Sequence, residues 1–320
     1  MTQTRIRPLV EGGILSAIAI VFALMSAYLP ILGPFVNMLW PVPIILLGVR
    51  HGFRWSVMAT LSAGVLIAVL MHPLHALSVV VGFGLIGIVL GHAIREAYSP
   101  GKALVWGSLA SLLSKVAVLG LSAFILGINP LEMQIDVMAK GTEEALAMYR
   151  SMGMQEEELQ RLAATMGQLV DVLRIILPAG FAMAAVVDTY LNFIVARLVL
   201  RRLGMEVPAF PPFREWRFHG GLAYAYALAL VGAYWGSSRE WLWLRDIAMN
   251  VQVIASLFLF VQGLSLVVFL TDKYRLPKFV RGLILLLLVT NGFLTQMVIY
   301  AGVAEAWVDV RRLRKPGEPS

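Results

Sequence analysis

Cysteine is absent from all 320 residues, which excludes disulfides, cysteine nucleophiles and thiolate metal sites and leaves the compartment undecided. Charge is scarce as well. Asp, Glu, Lys and Arg make up 14% of the chain against 59% hydrophobic residues, and the mean hydropathy is +0.79. A soluble domain has to cover its core with polar surface, which so apolar a composition does not supply; in a bilayer the outer surface faces lipid and the demand disappears. HExxH, GxSxG and Walker A motifs are missing too. Gly101-Lys102 has the ending of a Walker A sequence, but Glu96 stands where its first glycine belongs. The chain therefore shows no means of hydrolysing ATP itself, no catalytic motif and no cofactor site. His72-Pro-Leu-His75 offers two ligands with no carboxylate nearby in sequence, fewer than a metal site needs, and reads as a loop.

What is abundant is long apolar runs. A helix needs about 20 mostly apolar residues to cross the hydrocarbon core. The candidates are Val10–Leu29, Phe35–Val49, Trp55–Met71, Leu77–Ile94, Ala103–Ile128, Leu169–Leu200, Gly221–Trp235, Ile247–Leu270 and Gly282–Ala301, of which the second and seventh are short for a straight crossing. The first is longer than the apolar core of a signal peptide and reads as a retained helix. These runs predict an all-α polytopic transmembrane helix bundle of a cytoplasmic-type cell membrane.

Lys and Arg set the expected orientation. The net charge is +7, but the basic residues sit in short segments between apolar runs, so membrane topology explains them and no nucleic-acid partner is expected. Arg5 and Arg7 place the N-terminus in the cytoplasm. Arg50 and Arg54, Arg95 and Lys102, Arg197 to Arg217, and Lys273 to Arg281 then fall on that side crossing by crossing, while the acidic stretch Asn129–Gln168 falls outside. The tail breaks the rule, because nine full crossings would put Arg311, Arg312, Arg314 and Lys315 outside. Asn291-Gly292 near the middle of the last apolar run permits a break. The run is thus either a re-entrant hairpin or broken helix, or a ninth straight helix with a mis-sided tail.

Asn129–Gln168 is the one long polar excursion. Thr142 is placed to cap a short helix opening on Glu143 and Glu144, and Gly153 to end it. Leu159, Leu162, Met166, Leu169 and Leu173 then predict a helix running into the sixth span. The excursion reads as a lid lined by Met133, Met138, Met148, Met152 and Met154, or as an amphipathic hairpin.

Charged residues inside spans are costly, about 2.5–3.5 kcal/mol each on the insertion scale, and normally face the bundle interior. Lys115 in the fifth span and Asp188 in the sixth each lie ~20 Å from the same end of consecutive antiparallel helices, so the two charges can meet at one depth. Such a pair either fixes helix register or forms a substrate site. Asn192 shares the face of Asp188 at i+4. Asn37 and Trp40 precede Pro41 and Pro43, where irregular backbone can line a cavity. Asn250, Gln252 and Gln262 read as interhelical hydrogen-bond glue, and Asp171 and Arg174 as side chains snorkelling to the interface. Ala19, Ala23 and Ala27 on the first helix, and Gly84, Gly87 and Gly91 on the fourth, form flat strips for close packing or for docking a partner.

The run YLPILGPFVNMLWPVPIILLGVRHG resembles the N-terminal signature of the YybS-like family of bacterial membrane proteins, and LNFIVARLVLRRLG, PPFREW and AGVAEAWVDVRRL resemble its later signatures. That family is similar in turn to the substrate-binding S components of energy-coupling factor transporters. The resemblance implies a six-helix core, a small molecule bound from outside, and an alanine-rich first helix that docks on a coupling membrane subunit driven by a separate ATPase. Residues 1–204 would form that core with the insertion at 129–168. Residues 205–220 would be a basic-aromatic cytoplasmic linker, 221–308 two or three further membrane helices, and 309–320 a polar tail. Asn37, Trp40, Lys115, Asp188 and Asn192 would line the pocket. The rival expectation is a membrane scaffold that recruits cytoplasmic partners through the arginines and aromatics of Arg201–Arg217.

Overall fold

The computed structural model describes residues 3–29, 33–127, 129–308 and 311, without the side chains of residues 3–6, 34, 37, 38 and 126. The Asn37 side chain, Arg312, Arg314 and Lys315 lie outside that set. No strand occurs among the described residues. The helices are α1 (Gln3–Tyr28), α2 (Gly33–Met38), α3 (Pro41–His51), α4 (Phe53–Leu70), α5 (Pro73–Val79), α6 (Leu85–Arg95), α7 (Pro100–Leu126), α8 (Pro130–Ser151), α9 (Glu156–Arg202), α10 (Gly221–Ser238), α11 (Leu242–Lys273), α12 (Lys278–Thr290) and α13 (Gly292–Val308). A π-helical turn, Val80–Gly84, joins α5 to α6 in one continuous span. Among the described residues, six helices are long and apolar enough to cross a membrane: α1, α4, α5 with α6, α7, α9 and α11.

Three expectations are corrected. The second run is not one helix. It breaks into α2 and α3 because Pro41 and Pro43 have no N–H to donate into a preceding helical turn and so sit at the start of a helix. The resulting α3 is 11 residues long, about 16 Å, too short to cross. Residues Pro41–Gly48 are all buried, so α3 lies inside the bundle. Thr142 starts no helix: α8 begins at Pro130 and runs unbroken through it to Ser151. Finally, Met133, Met138, Met148 and Met152 are exposed rather than turned inward as lid residues. Gly153 does end the turn, with φ +87°, and the helix after it continues from Glu156 into the sixth span.

The chain forms two compact units, Met1–Lys140 with Ala184–Ala209, and Gly141–Met183 with Phe210–Ser320. The first is built on small residues. Ala19 and Ala23 are fully buried against Ala59, Ala63 and Ile67 of α4. The strip on α6 is covered by α3: a Cβ on Gly87 would lie 2.9 Å from the Ile44 side chain, and one on Gly91 would lie 3.1 Å from the Ile45 carbonyl. Without a hydrophobic drive between helices in lipid, such close approach is the main source of packing energy.

In the second unit α10, α11 and α13 pack around Ala223, Tyr226, Ala255, Leu259 and Ile299. Two of the polar residues of α11 are glue, as expected. Gln262 accepts from Phe218 N and donates to the Gly302 carbonyl. Asn250 accepts from Ala179 N and donates to the Ile175 carbonyl, inserting itself into the backbone ladder beside Pro178. Gln252 makes no side-chain hydrogen bond among the described residues.

The last apolar run is broken at Asn291, and its two halves meet at 101°. Contacts at both ends show where it goes. At the start of α12, Arg281 pairs with Asp272, which also faces Arg214 at 3.5 Å. Beyond the end of α13, Arg311 donates to the carbonyls of Arg214 and Trp216. Both ends are thus tied to one linker segment, which places Arg311 with the basic linker.

Candidate functional site

Helix α7 opens on Ser99, whose hydroxyl accepts from Lys102 N, followed by Pro100 at the first helical position. Its small residues form the seat for the end of α9. A Cβ on Gly107 would come within 2.4 Å of Thr189 and 2.8 Å of Leu90, so only glycine lets the helices approach there. Helical side chains point back toward the N-terminus. The Lys115 ammonium accordingly lies over the preceding turn, where it donates to Ser111 Oγ at 3.0 Å and pairs with Asp188 Oδ2.

The pair sits well inside both helices, with side chains 19% and 13% exposed. Its surroundings are polar and buried. Ser111, Ser114 and Thr189 are fully buried and Asn192 is 1% exposed. Asn192 Nδ2 donates to the Asp188 carbonyl at 2.9 Å, while its Oδ1 is buried with no hydrogen-bond partner among the described residues. Ser114 Oγ is likewise buried without a hydrogen-bond partner among the described residues. Thr189 is satisfied by the Ala185 carbonyl. Buried polar groups are nearly always paired, so an orphaned amide oxygen beside an ion pair marks a place able to take a hydrogen-bond donor.

Of the expected site residues, Lys115, Asp188 and Asn192 therefore come together. Trp40 is fully buried in the core of the first unit with Ile44, Ala63 and Ala23, its Nε1 also without a hydrogen-bond partner among the described residues. The three best-formed cavities are lined by other residues. Asn37 belongs to α2 by its backbone. Ala19, Ala23, Gly84, Gly87 and Gly91 are consumed in packing, whereas Ala27 is exposed.

Two clusters were not anticipated. Glu11 on α1 binds Arg50 at 2.9 Å and His51 at 2.8 Å, closing one end of α3. The signal was an acidic residue in the first apolar run. In the second unit, Glu305 and Arg311 form an ion pair at 2.8 Å with both side chains fully buried.

A family profile described as "Predicted membrane protein (DUF2232)" matches residues 17–305. The chain is also similar to "Uncharacterized protein YybS" of Bacillus subtilis (strain 168), with 26% identity over 279 residues, 87% of this chain and 88% of that protein. No solved structure matches.

Proposed function

Because this chain belongs to the DUF2232 family of predicted membrane proteins and buries a charged pair part-way along two apolar helices, we propose that it is a small-molecule-binding membrane subunit of the S-component type. Uptake through it depends on a separate coupling protein and ATPase, since its own sequence has no phosphate-binding loop. The observation that carries this reading is the Lys115–Asp188 pair with the orphaned Asn192 Oδ1 beside it. A zwitterionic ligand would exchange the internal pair for two external ones, its anionic group on Lys115 and its cationic group on Asp188, with a donor to Asn192. Such an exchange desolvates no new protein charge, which keeps a buried ionic site affordable. In this reading the N-terminus is cytoplasmic and the ligand enters from outside.

The pair can be removed as a unit. Lys115→Met alone strands a carboxylate and Asp188→Leu alone strands an ammonium, so each single variant is expected to melt well below wild type. The double variant removes both charges and should regain most of that stability while releasing no small molecule on heat denaturation, as judged by mass spectrometry of the released fraction. If the double variant folds and still yields the wild-type ligand, the site is not there.

A second reading, a scaffold, is favoured by one observation: the linker is an ordered platform. Ser265 Oγ lies 2.6 Å from the Phe213 carbonyl and 3.0 Å from that of Trp216, and the Phe213 and Trp216 rings meet edge to face. Arg201 and Arg202, earlier in the same basic stretch of sequence, are exposed. Arg201→Gln with Arg202→Gln would then abolish recruitment of a cytoplasmic partner and leave ligand retention intact.

A further inference from the structure

The second unit holds a cavity of about 780 Å³ between the Asp171–Pro178 stretch of α9 and the first turns of α11. Its lining is graded. At one end stand Asp171, Arg174, Arg245 and Asp246; further along both helices the wall is apolar, with Ile175, Ile247, Val251 and Ile254. Arg245 to Ile254 spans nine residues, ~13 Å at the helical rise. Asn250 also borders the cavity, but its donors and acceptor are taken by the Ile175, Asp246 and Ala179 backbone, so it holds the wall together beside Pro178.

The charged end lies at membrane-interface level. Tyr234 and Trp235 end α10, Trp241 and Trp243 begin α11, and all four are more than half exposed. Tyr and Trp in that setting mark the headgroup region of a bilayer. The mouth is balanced rather than basic. Arg174 and Asp171 have no ion-pair partner among the described residues. Arg245 binds Asp246 Oδ1 through Nε and Nη2, which leaves Nη1 available.

We infer that this cavity binds one phospholipid whose headgroup carries both a phosphate and an amine, of the phosphatidylethanolamine class. Arg174 and Arg245 take the phosphate, Asp171 faces the amine, and one acyl chain lies along Ile247, Val251 and Ile254. A purely anionic headgroup would place its phosphate on the same arginines but leave the Asp171 carboxylate without a counter-charge. A soluble zwitterion would leave the apolar wall unfilled.

The test uses the full chain in mild detergent, titrated with phosphatidylethanolamine, phosphatidylglycerol or soluble glycerophosphoethanolamine and read by native mass spectrometry. Wild type should retain one phosphatidylethanolamine in preference to phosphatidylglycerol. Arg174→Gln should weaken that retention about tenfold, the scale of one charge-assisted hydrogen bond. Asp171→Asn should shift preference toward phosphatidylglycerol. Both positions are exposed, so neither change should alter the melting temperature. Equal retention of the two lipids by wild type overturns the assignment, as does retention unchanged in Arg174→Gln. Displacement by glycerophosphoethanolamine at equal concentration overturns it too, in favour of a soluble ligand.

Discussion

Glu305→Leu should unfold the second unit. Glu305 and Arg311 are both sealed from solvent, and Arg311 commits four of its five N–H donors: Nε to Glu305 at 2.8 Å, Nη1 to Ser265 Oγ and the Arg214 carbonyl at 2.7 Å each, and Nη2 to the Trp216 carbonyl at 3.0 Å. Removing the carboxylate leaves a guanidinium buried without its counter-charge, a change that costs about 3–5 kcal/mol. That is a large share of the ~5–15 kcal/mol by which folded domains are stable. Arg311→Met should be as damaging, since it strands Glu305 and frees the linker carbonyls. Combining Glu305→Leu with Arg311→Met removes both charges and should recover part of the loss, because a buried pair replaced by apolar groups is often close to neutral. Thermal melting followed by tryptophan fluorescence in detergent reads all three. Single variants melting with wild type would show that the pair holds nothing together.

Adding one methyl group at Gly302 should be nearly as disruptive. A Cβ there would lie 2.0 Å from the Leu259 carbonyl oxygen, and one on Gly263 would lie 2.0 Å from the Val298 carbonyl oxygen. The obstructions are backbone atoms, so no side chain can swing aside and α11 and α13 must separate. Overpacking ordinarily costs about 1–3 kcal/mol. Here the helix crossing that carries α13 back toward the linker is lost with it, so Gly302→Ala and Gly263→Ala should each sharply reduce the folded fraction in size-exclusion chromatography. Gly282→Ala is the control: nothing lies within 4 Å of its Cβ position, on α12, and alanine favours helix over glycine by about 1 kcal/mol. That variant should melt at or above wild type. Gly302→Ala as stable as Gly282→Ala would contradict the packing of α11 on α13.

The helical bundle was legible because apolar runs of membrane length have few other structures to form. Val10–Leu29, Trp55–Met71 and Leu77–Ile94 fall on α1, α4 and the α5–α6 span, and the Asn291 break was visible in its residues. The meeting of Lys115 with Asp188 was legible for a related reason: equal depth on consecutive antiparallel helices leaves two lone charges few other partners. What escaped notice depended on contacts distant in sequence. Nothing near Gly263 says that Gly302 will press on the same turn of α11. Arg311 looked like one more tail arginine until α13 was seen to return to the linker. Local signals also misled. Thr142 has the chemistry of a cap, but a helix already running from Pro130 passes through it. The methionines of α8 have helical spacing, yet Met133, Met138 and Met148 are exposed. Within the site, the role of Asn192 was half visible, since its i+4 spacing from Asp188 predicts a shared face but not that one amide oxygen stays unpartnered.

Native mass spectrometry of the wild-type protein, extracted gently together with whatever accompanies it, bears most directly on the proposal that Lys115, Asp188 and Asn192 hold a zwitterionic small molecule for an externally driven transporter. The expected spectrum contains the 35.2 kDa chain with a small-molecule adduct that is absent from the Lys115→Met, Asp188→Leu double variant, alongside an assembly with a coupling subunit and ATPase. A chain that carries the same adducts in both forms and brings down no such partner would contradict it.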